Sequence, residues 1–210
     1  MPVDLGLSEA TIDTLGRYVA LLEKWNRTMN LVSRKDMGRV IDRHLLDSLS
    51  VIPHLTGTSI VDIGSGAGLP GIPLAIVDAE LTPARRYTLI DRMARRTRFL
   101  SHCRDTLSLD NVSVLTGDAG QLESGAYDMA LARAVATGPV VWDMVHHALR
   151  PSGQLLVFAS TQLREDGETT LLEVSDKQED EVPAGVFMTS ERVAIRPTVE
   201  HLIEIYRAAS

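Results

Sequence analysis

An apolar run that ends in an acid and passes directly into alternating glycines leaves a chain few ways to fold. Val61-Asp62-Ile63-Gly64-Ser65-Gly66-Ala67-Gly68-Leu69-Pro70-Gly71 is such a run. Ile60 to Ile63 reads as a short buried strand. The glycines let the chain turn sharply and bring backbone N–H groups against a ligand where a Cβ would collide, and the helix that should follow aims its N-terminus at the same place. A dinucleotide fingerprint needs G-x-G-x-x-G, but Leu69 stands where the third glycine belongs and Gly68 comes one residue early. The shorter form, preceded by an acid, is typical of S-adenosylmethionine sites. That donor carries a sulfonium, an amino group and a carboxylate in place of a pyrophosphate, so Asp62 answers its cationic part and backbone amides its carboxylate. A glycine turn of this kind also occurs as a purely structural device or with other nucleotides.

Tyr87 to Ile90 reads as the next strand and ends at Asp91, where doubly wound folds hydrogen-bond a ribose diol. Asp91 lies 27 residues beyond Gly64, more than the usual separation of about 20. Residues 69–73 and 81–86 absorb the surplus. The alternative is that Asp91 caps a helix opening at Arg92, and the two roles are compatible.

At 210 residues with 44% hydrophobic content, the chain supports one main domain with a substantial core. No apolar run approaches the ~20 residues that span a bilayer, and Met1 to Leu7 lacks signal-peptide character. A soluble, cytoplasmic protein without membrane association is expected, and a monomer. The single cysteine, Cys103, makes no internal disulfide or thiolate site, and potential ligands show no clustered spacing, so no metal is expected.

The net charge of −7 is unevenly spread. Lys24 to His44 carries +4 and Arg85 to Arg104 carries +6, leaving −17 elsewhere. Two basic zones within an acidic protein suit phosphate contacts, because the field at the contact face matters more than the total. The candidates are Arg34, Lys35, Arg39 and Arg43 in the first zone and Arg92, Arg95 and Arg96 in the second. The bland alternative for each is a solvated helix face.

Ser8 to Arg27 has a helical apolar period with Ser8 as cap, and a second helix is expected from Asp36 to about Val51. Together they form a helical extension, residues 1–56, ahead of a main domain over 57–210. In the latter, helices near Leu69–Val77, Arg92–Leu107 and Val140–Leu149 alternate with strands Tyr87–Ile90, Val112–Leu115, Met129–Ala132 and Gln154–Phe158. That alternation predicts a parallel sheet with helices on both faces. Glu173 to Glu181 reads as an acidic surface loop, and Ala184–Ile195 with Val199–Tyr206 as a closing hairpin.

Two further strand ends point into the same crevice. Asp118-Ala119-Gly120 is placed to meet an adenine edge, and Arg133 is the candidate catalytic residue, reaching substrate or cofactor unless it serves a structural ion pair with an Asp. The fourth strand lacks the Asn/Asp-Pro-Pro-aromatic motif of exocyclic-amine methylation, and Cys103 sits in a helical segment unsuited to a C5-directed thiolate. An acceptor that is already nucleophilic remains. Guanine N7 has an in-plane lone pair and no proton to remove, so transfer to it depends on proximity and alignment.

Asn30-Leu31-Val32, Arg43-His44-Leu45-Leu46-Asp47-Ser48-Leu49, the Asp62–Pro73 run and Ala132-Arg133-Ala134-Val135-Ala136 together resemble the RsmG family, also called glucose-inhibited division protein B, over nearly the whole chain. Those are bacterial 16S ribosomal RNA guanine-N7 methyltransferases. The resemblance implies a class I S-adenosylmethionine-dependent α/β fold, Rossmann-like, with a C-terminal antiparallel hairpin and an N-terminal helical extension. It implies that Gly64, Gly66, Gly68 and Leu69 line the donor pocket with Asp62, that Asp91 takes the ribose, and that Ala119 and Gly120 lie beside the adenine. Arg133 then positions cofactor or guanine, and His44 and Asp47 stand at the pocket mouth, although a His and an Asp on successive helical turns are often only a packing detail. The family commonly has an acid where Gly120 stands, so a side-chain hydrogen bond there falls to Asp118 or is absent. The partner implied is 16S ribosomal RNA or the small ribosomal subunit. A small-molecule methyltransferase would want an apolar lid in place of the cationic extension, and a non-catalytic assembly protein would not need Asp62 and Asp91.

Overall fold

The computed structural model describes residues 5–158, 161–163, 169–171, 181–196 and 199–209. Helix α1 spans Glu9–Met29, and Ser8 caps it by accepting the Thr11 N–H at 3.2 Å. Its buried residues, Leu15, Tyr18, Val19 and Leu22, recur every three or four positions and form one stripe. Asn30, in the left-handed region at φ 50°, ends it. The Asn26 side chain then holds both backbone groups of Val32 at 2.9 Å, fixing the turn.

The expected single helix from Asp36 to Val51 is instead three short pieces. Helix α2, Arg34–Met37, stops at Gly38; a π-helical turn covers Ile41–Leu45; helix α3 covers Leu46–Leu49. The Leu46 N–H bonds the Ile41 carbonyl, so the turn holds one extra residue. Val40, Leu45, Asp47 and Ser48 are all buried.

Strand β1 (Ser59–Ile63) leads to helix α4 (Gly71–Leu81), β2 (Arg86–Asp91), helix α5 (Ala94–Leu107), β3 (Val112–Thr116), β4 (Tyr127–Arg133), helix α6 (Gly138–Val145) and β5 (Leu149–Phe158). A separate two-stranded ladder, β6 (Thr161–Leu163) with β7 (Thr169–Leu171), was not expected from the sequence. Of the acidic stretch read as a surface loop, residues 173–180 lie outside the described residues. Strands β8 (Val186–Arg196) and β9 (Val199–Ala208) form the closing hairpin. The main sheet has the order β3-β2-β1-β4-β5-β9-β8. Its first five strands are parallel, whereas β9 runs antiparallel to both neighbours. Strand β5 starts five residues ahead of the expected Gln154, and a register shift between Tyr127 and Met129 of β4 accommodates the early part.

The central strands β1, β2 and β4 are largely buried on both faces, as parallel strands are, whereas the edge strands β3 and β8 are largely exposed. Ile60 joins the core that α1, α4 and α5 share, containing Tyr18, Leu22, Leu74, Phe99 and Leu100. Val61 and Ile63 face the other core, with Val141, Trp142 and Tyr206. The extension thus packs into the same apolar cluster as the sheet. Strand order reverses beside β1, so the crevice opens outside the carboxyl ends of β1 and β4, where open α/β sheets bind ligands. No helix among the described residues is long and apolar enough to cross a membrane.

Candidate active site

The turn from β1 to α4 is fastened from three sides. Ser65 donates its N–H to the Ile90 carbonyl at 3.1 Å and its hydroxyl to the Asp62 carbonyl at 2.8 Å. Tyr18 of α1, fully buried, donates its hydroxyl to the Ala67 carbonyl at 2.8 Å. Gly66 has φ 52°, a left-handed conformation that L-residues avoid, and a Cβ there would meet only the Gly64 carbonyl at 3.6 Å, so the space above it is open. Gly64 is exposed, although a Cβ on it would lie 2.8 Å from Val135 Cγ2, and Leu69 is half-buried at the end of the turn. Gly71, part of the Val61–Gly71 run but given no role in the donor pocket, does the close-packing job of a third fingerprint glycine. A Cβ on it would lie 2.3 Å from Leu89 Cδ2 and 2.7 Å from Asp62 Oδ2. Helix α4 starts there, not at Leu69.

Asp62 is fully buried at the end of β1. Its Oδ2 accepts the Gly71 N–H at 3.1 Å, and its Oδ1 has no partner. Burial pushes its carboxyl up to about 7, against the hydrogen bond from Gly71, the nearby Ser65 hydroxyl and the positive charge of Arg133. A buried carboxylate with one empty acceptor beside an open glycine turn fits a ligand that brings positive charge or N–H donors. Asp91, 4% exposed, is tied to the same turn: Oδ2 accepts the Gly66 N–H at 3.0 Å and pairs with Arg96 at 3.3 Å, and Oδ1 takes the Met93 N–H at 2.8 Å. The helix that Asp91 was read as capping opens at Ala94, two residues later than Arg92. With three donors placed, an ionised carboxylate keeps acceptor capacity for a hydroxyl.

Beyond β3, Asp118 caps a single 3-10 turn, Ala119–Gln121, accepting the Gly120 N–H at 3.2 Å, while Gln121 reaches back to the Asp118 N–H at 3.2 Å. Ala119 is buried and Gly120 exposed. The side chain at 118 is therefore partly spent on holding its own turn, and the exposed edge of that turn is backbone.

Arg133, at the end of β4, is brought together with His44 and Asp47. It pairs with Asp47 Oδ2 at 2.9 Å and donates to His44 Nδ1 at 2.6 Å, and its guanidinium lies 5.7 Å from the Phe158 ring centroid. Arginine has only donors, so His44 Nδ1 accepts and its proton sits on Nε2, which is buried without a partner. Burial, then the Arg133 charge, lowers the His44 pKa to about 4, so the ring is neutral. Asp47 also contacts His201 of β9 through Oδ1. His201 was missing from the sequence reading, since nothing local in Val199–Ala208 marks it. Ala134, directly after Arg133, has φ 55°, an uncommon conformation for a residue with a Cβ.

The basic zones divide. Lys35 and Arg39 are exposed and carry no ion pair among the described residues; the Arg34 side chain lies outside them. Arg43 pairs with Asp36 at 3.2 Å. Arg92 is exposed and pairs with Asp118 at 3.7 Å, Arg95 is exposed, and Arg96 is spent on Asp91. Arg85, counted in the second zone by charge, is a core residue, 8% exposed and paired with buried Asp78 at 2.8 Å. Its charge is neutralised inside the protein and projects little field.

The sequence matches the family GidB, described as rRNA small subunit methyltransferase G, over residues 11–190. Proteins called ribosomal RNA small subunit methyltransferase G are similar to it in Coxiella burnetii (37% identity, 75% of this chain and 76% of that one). The same holds in Alteromonas mediterranea (40%, 73% and 72%) and in Francisella philomiragia (32%, 90% and 89%). Among solved structures, a SAM-dependent methyltransferase from Aquifex aeolicus superposes with a TM-score of 0.57 at 16% identity, covering 82% of this chain and 94% of that one. A methyltransferase from Geobacter sulfurreducens gives 0.53 at 19% identity, with 92% and 89% covered. At those identities the likeness is one of fold.

Proposed function

The chain belongs to the GidB family, rRNA small subunit methyltransferase G, and from that premise we propose that it transfers a methyl group from S-adenosylmethionine to N7 of a guanine in 16S ribosomal RNA. The observation that carries the donor half is the buried, half-satisfied carboxylate of Asp62 beside the open glycine turn. Leaving a carboxylate buried with an empty acceptor costs free energy unless a ligand completes it. Asp62 and the backbone of Gly64, Gly66, Gly68 and Leu69 hold the amino-acid end of the donor, Asp91 its ribose, and Asp118, Ala119 and Gly120 its adenine.

When bound, the donor supplies an electrophilic methyl on a cationic sulfur. The protein's task is then alignment and exclusion of water, because N7 has no proton to lose. Arg133, anchored by Asp47, presents a fixed positive charge at the mouth of the crevice, suited to holding the guanine or the donor's carboxylate. Lys35, Arg39, Arg92 and Arg95, all exposed, hold RNA phosphates, whereas Arg43 and Arg96 are engaged by Asp36 and Asp91. That cationic rim favours a nucleic-acid substrate over a small molecule.

Purified protein incubated with labelled donor and naked 16S RNA, assembled small subunits or a metabolite extract tests the reading. Label is expected in RNA, free or assembled. Label confined to small molecules, or none at all, overturns it.

A further inference from the structure

Besides its 2.6 Å bond to His44 Nδ1, Arg133 leans on two supports, and one residue of the last strand touches both. The first support is Asp47, 8% exposed, whose Oδ2 pairs with the guanidinium at 2.9 Å. The second is the Phe158 ring beneath the guanidinium. His201, 6% exposed on β9, contacts the free Oδ1 of Asp47 through Nδ1 and packs its ring on Phe158 with centroids 5.5 Å apart. Its Nε2 lies 3.4 Å from Ser50 Oγ, whose hydroxyl already donates to the Asp47 carbonyl at 2.7 Å. Arg133, Asp47, His201 and Phe158 therefore close a ring of contacts drawn from β4, α3, β9 and β5.

We propose that His201 is a positioning residue that sets Arg133 through Asp47, and so couples the C-terminal hairpin to methyl transfer. The inference rests on the role given to Arg133 above. A carboxylate is acceptor-only, so the close approach of Asp47 Oδ1 and His201 Nδ1 is favourable only with the proton on Nδ1, which makes no well-aligned hydrogen bond as it stands. With that donor gone, Asp47 is free to rotate about its side-chain torsions or to take Arg133 with both oxygens. Either movement shifts the guanidinium, and a displacement of about 1 Å at a positioning group costs about 10²-fold in rate.

Three variants separate positioning from packing. His201→Phe keeps a ring against Phe158 but has no donor. His201→Asn places an amide N–H close to where Nδ1 stands, and His201→Gln carries its amide one bond further, toward the Nε2 position. Melting temperature, affinity for S-adenosylhomocysteine and single-turnover methyl transfer to 16S RNA are measured for each. Transfer by His201→Phe is expected to fall about 10²-fold, and His201→Asn to recover most of the rate where His201→Gln does not. If His201→Phe does not fold, the Asn and Gln variants still decide, because both are polar and differ in donor position. Equal rates for Asn and Gln, or losses that only follow the folded fraction, overturn the proposal. An Arg133→Ala control distinguishes the two layers: wild-type transfer by that variant defeats the role of Arg133 itself, whereas its inactivity beside a fully active His201→Phe defeats only the inference about His201.

Discussion

Replacing Asp62 with Asn should make the protein more stable and its donor affinity worse, with the stability gain growing as pH rises. Burial raises the Asp62 carboxyl from an ordinary value of 3.8 to about 7. A group whose folded pKa is raised stabilises the fold in its protonated form; that contribution is full below about pH 4, declines as pH rises and is gone above about pH 7. At about 1.4 kcal/mol for each unit, the full cost of the buried charge above pH 7 is about 4 kcal/mol. Asn has no charge to bury, and its carbonyl can still accept the Gly71 N–H that Oδ2 accepts at 3.1 Å. The variant should therefore match the parent near pH 4 and exceed it by about 2–4 kcal/mol at pH 8, roughly 5–15 °C in melting temperature for a chain of this size. Donor affinity should move the other way. Losing a charge-assisted hydrogen bond of about 1.5–3 kcal/mol weakens binding roughly 10- to 100-fold. Thermal melts of both proteins across pH 4–8, with calorimetric titration of S-adenosylmethionine at pH 8, test both halves. A variant no more stable at pH 8 than at pH 4, relative to the parent, refutes the burial reasoning. Unchanged donor affinity refutes the ligand role of the carboxylate.

Other perturbations probe the turn and the rim. Tyr18→Phe leaves the buried Ala67 carbonyl without its 2.8 Å donor and should cost about 1–3 kcal/mol in denaturant melts while weakening donor binding. An unchanged midpoint would show that α1 does not brace the turn. Gly71→Ala forces a Cβ to within 2.3 Å of Leu89 and 2.7 Å of Asp62, so chemical denaturation should show a loss of about 1–3 kcal/mol; a neutral variant would mean that α4 slides freely. Lys35→Ala with Arg39→Ala should weaken RNA binding and lower the slope of log affinity against log salt by about 1–2. An unaltered slope would remove that face from the RNA contact.

The architecture and the donor turn were legible because their signals are local. Ile60–Ile63 alternates between two buried faces, and the glycines stand together in sequence, so period and spacing suffice. The pocket's fastenings were less legible. Tyr18 reads as one more apolar residue on a helical stripe, and its hydroxyl finds Ala67 only once α1 packs against α4. Gly71 looks like loop composition until Leu89 and Asp62 approach it. The π turn at Ile41–Leu45 escapes a period count, because one inserted residue shifts the face by about a quarter of a turn within a segment too short to register it. Charge counting misplaced Arg85 for a related reason: a tally along the chain cannot see that Asp78 waits in the core. His201 is the furthest case, distant in sequence from Asp47 and meaningful only through it.

The central claim is that the crevice holding Asp62 delivers a methyl group to a ring nitrogen of ribosomal guanine. Mass spectrometry of nucleosides from 16S RNA, taken from cells lacking this protein and treated with it and S-adenosylmethionine, tests that most directly. One new 7-methylguanosine, absent without the donor, is the predicted result. RNA that gains no methyl group, or gains it on a different base or atom, would contradict the account.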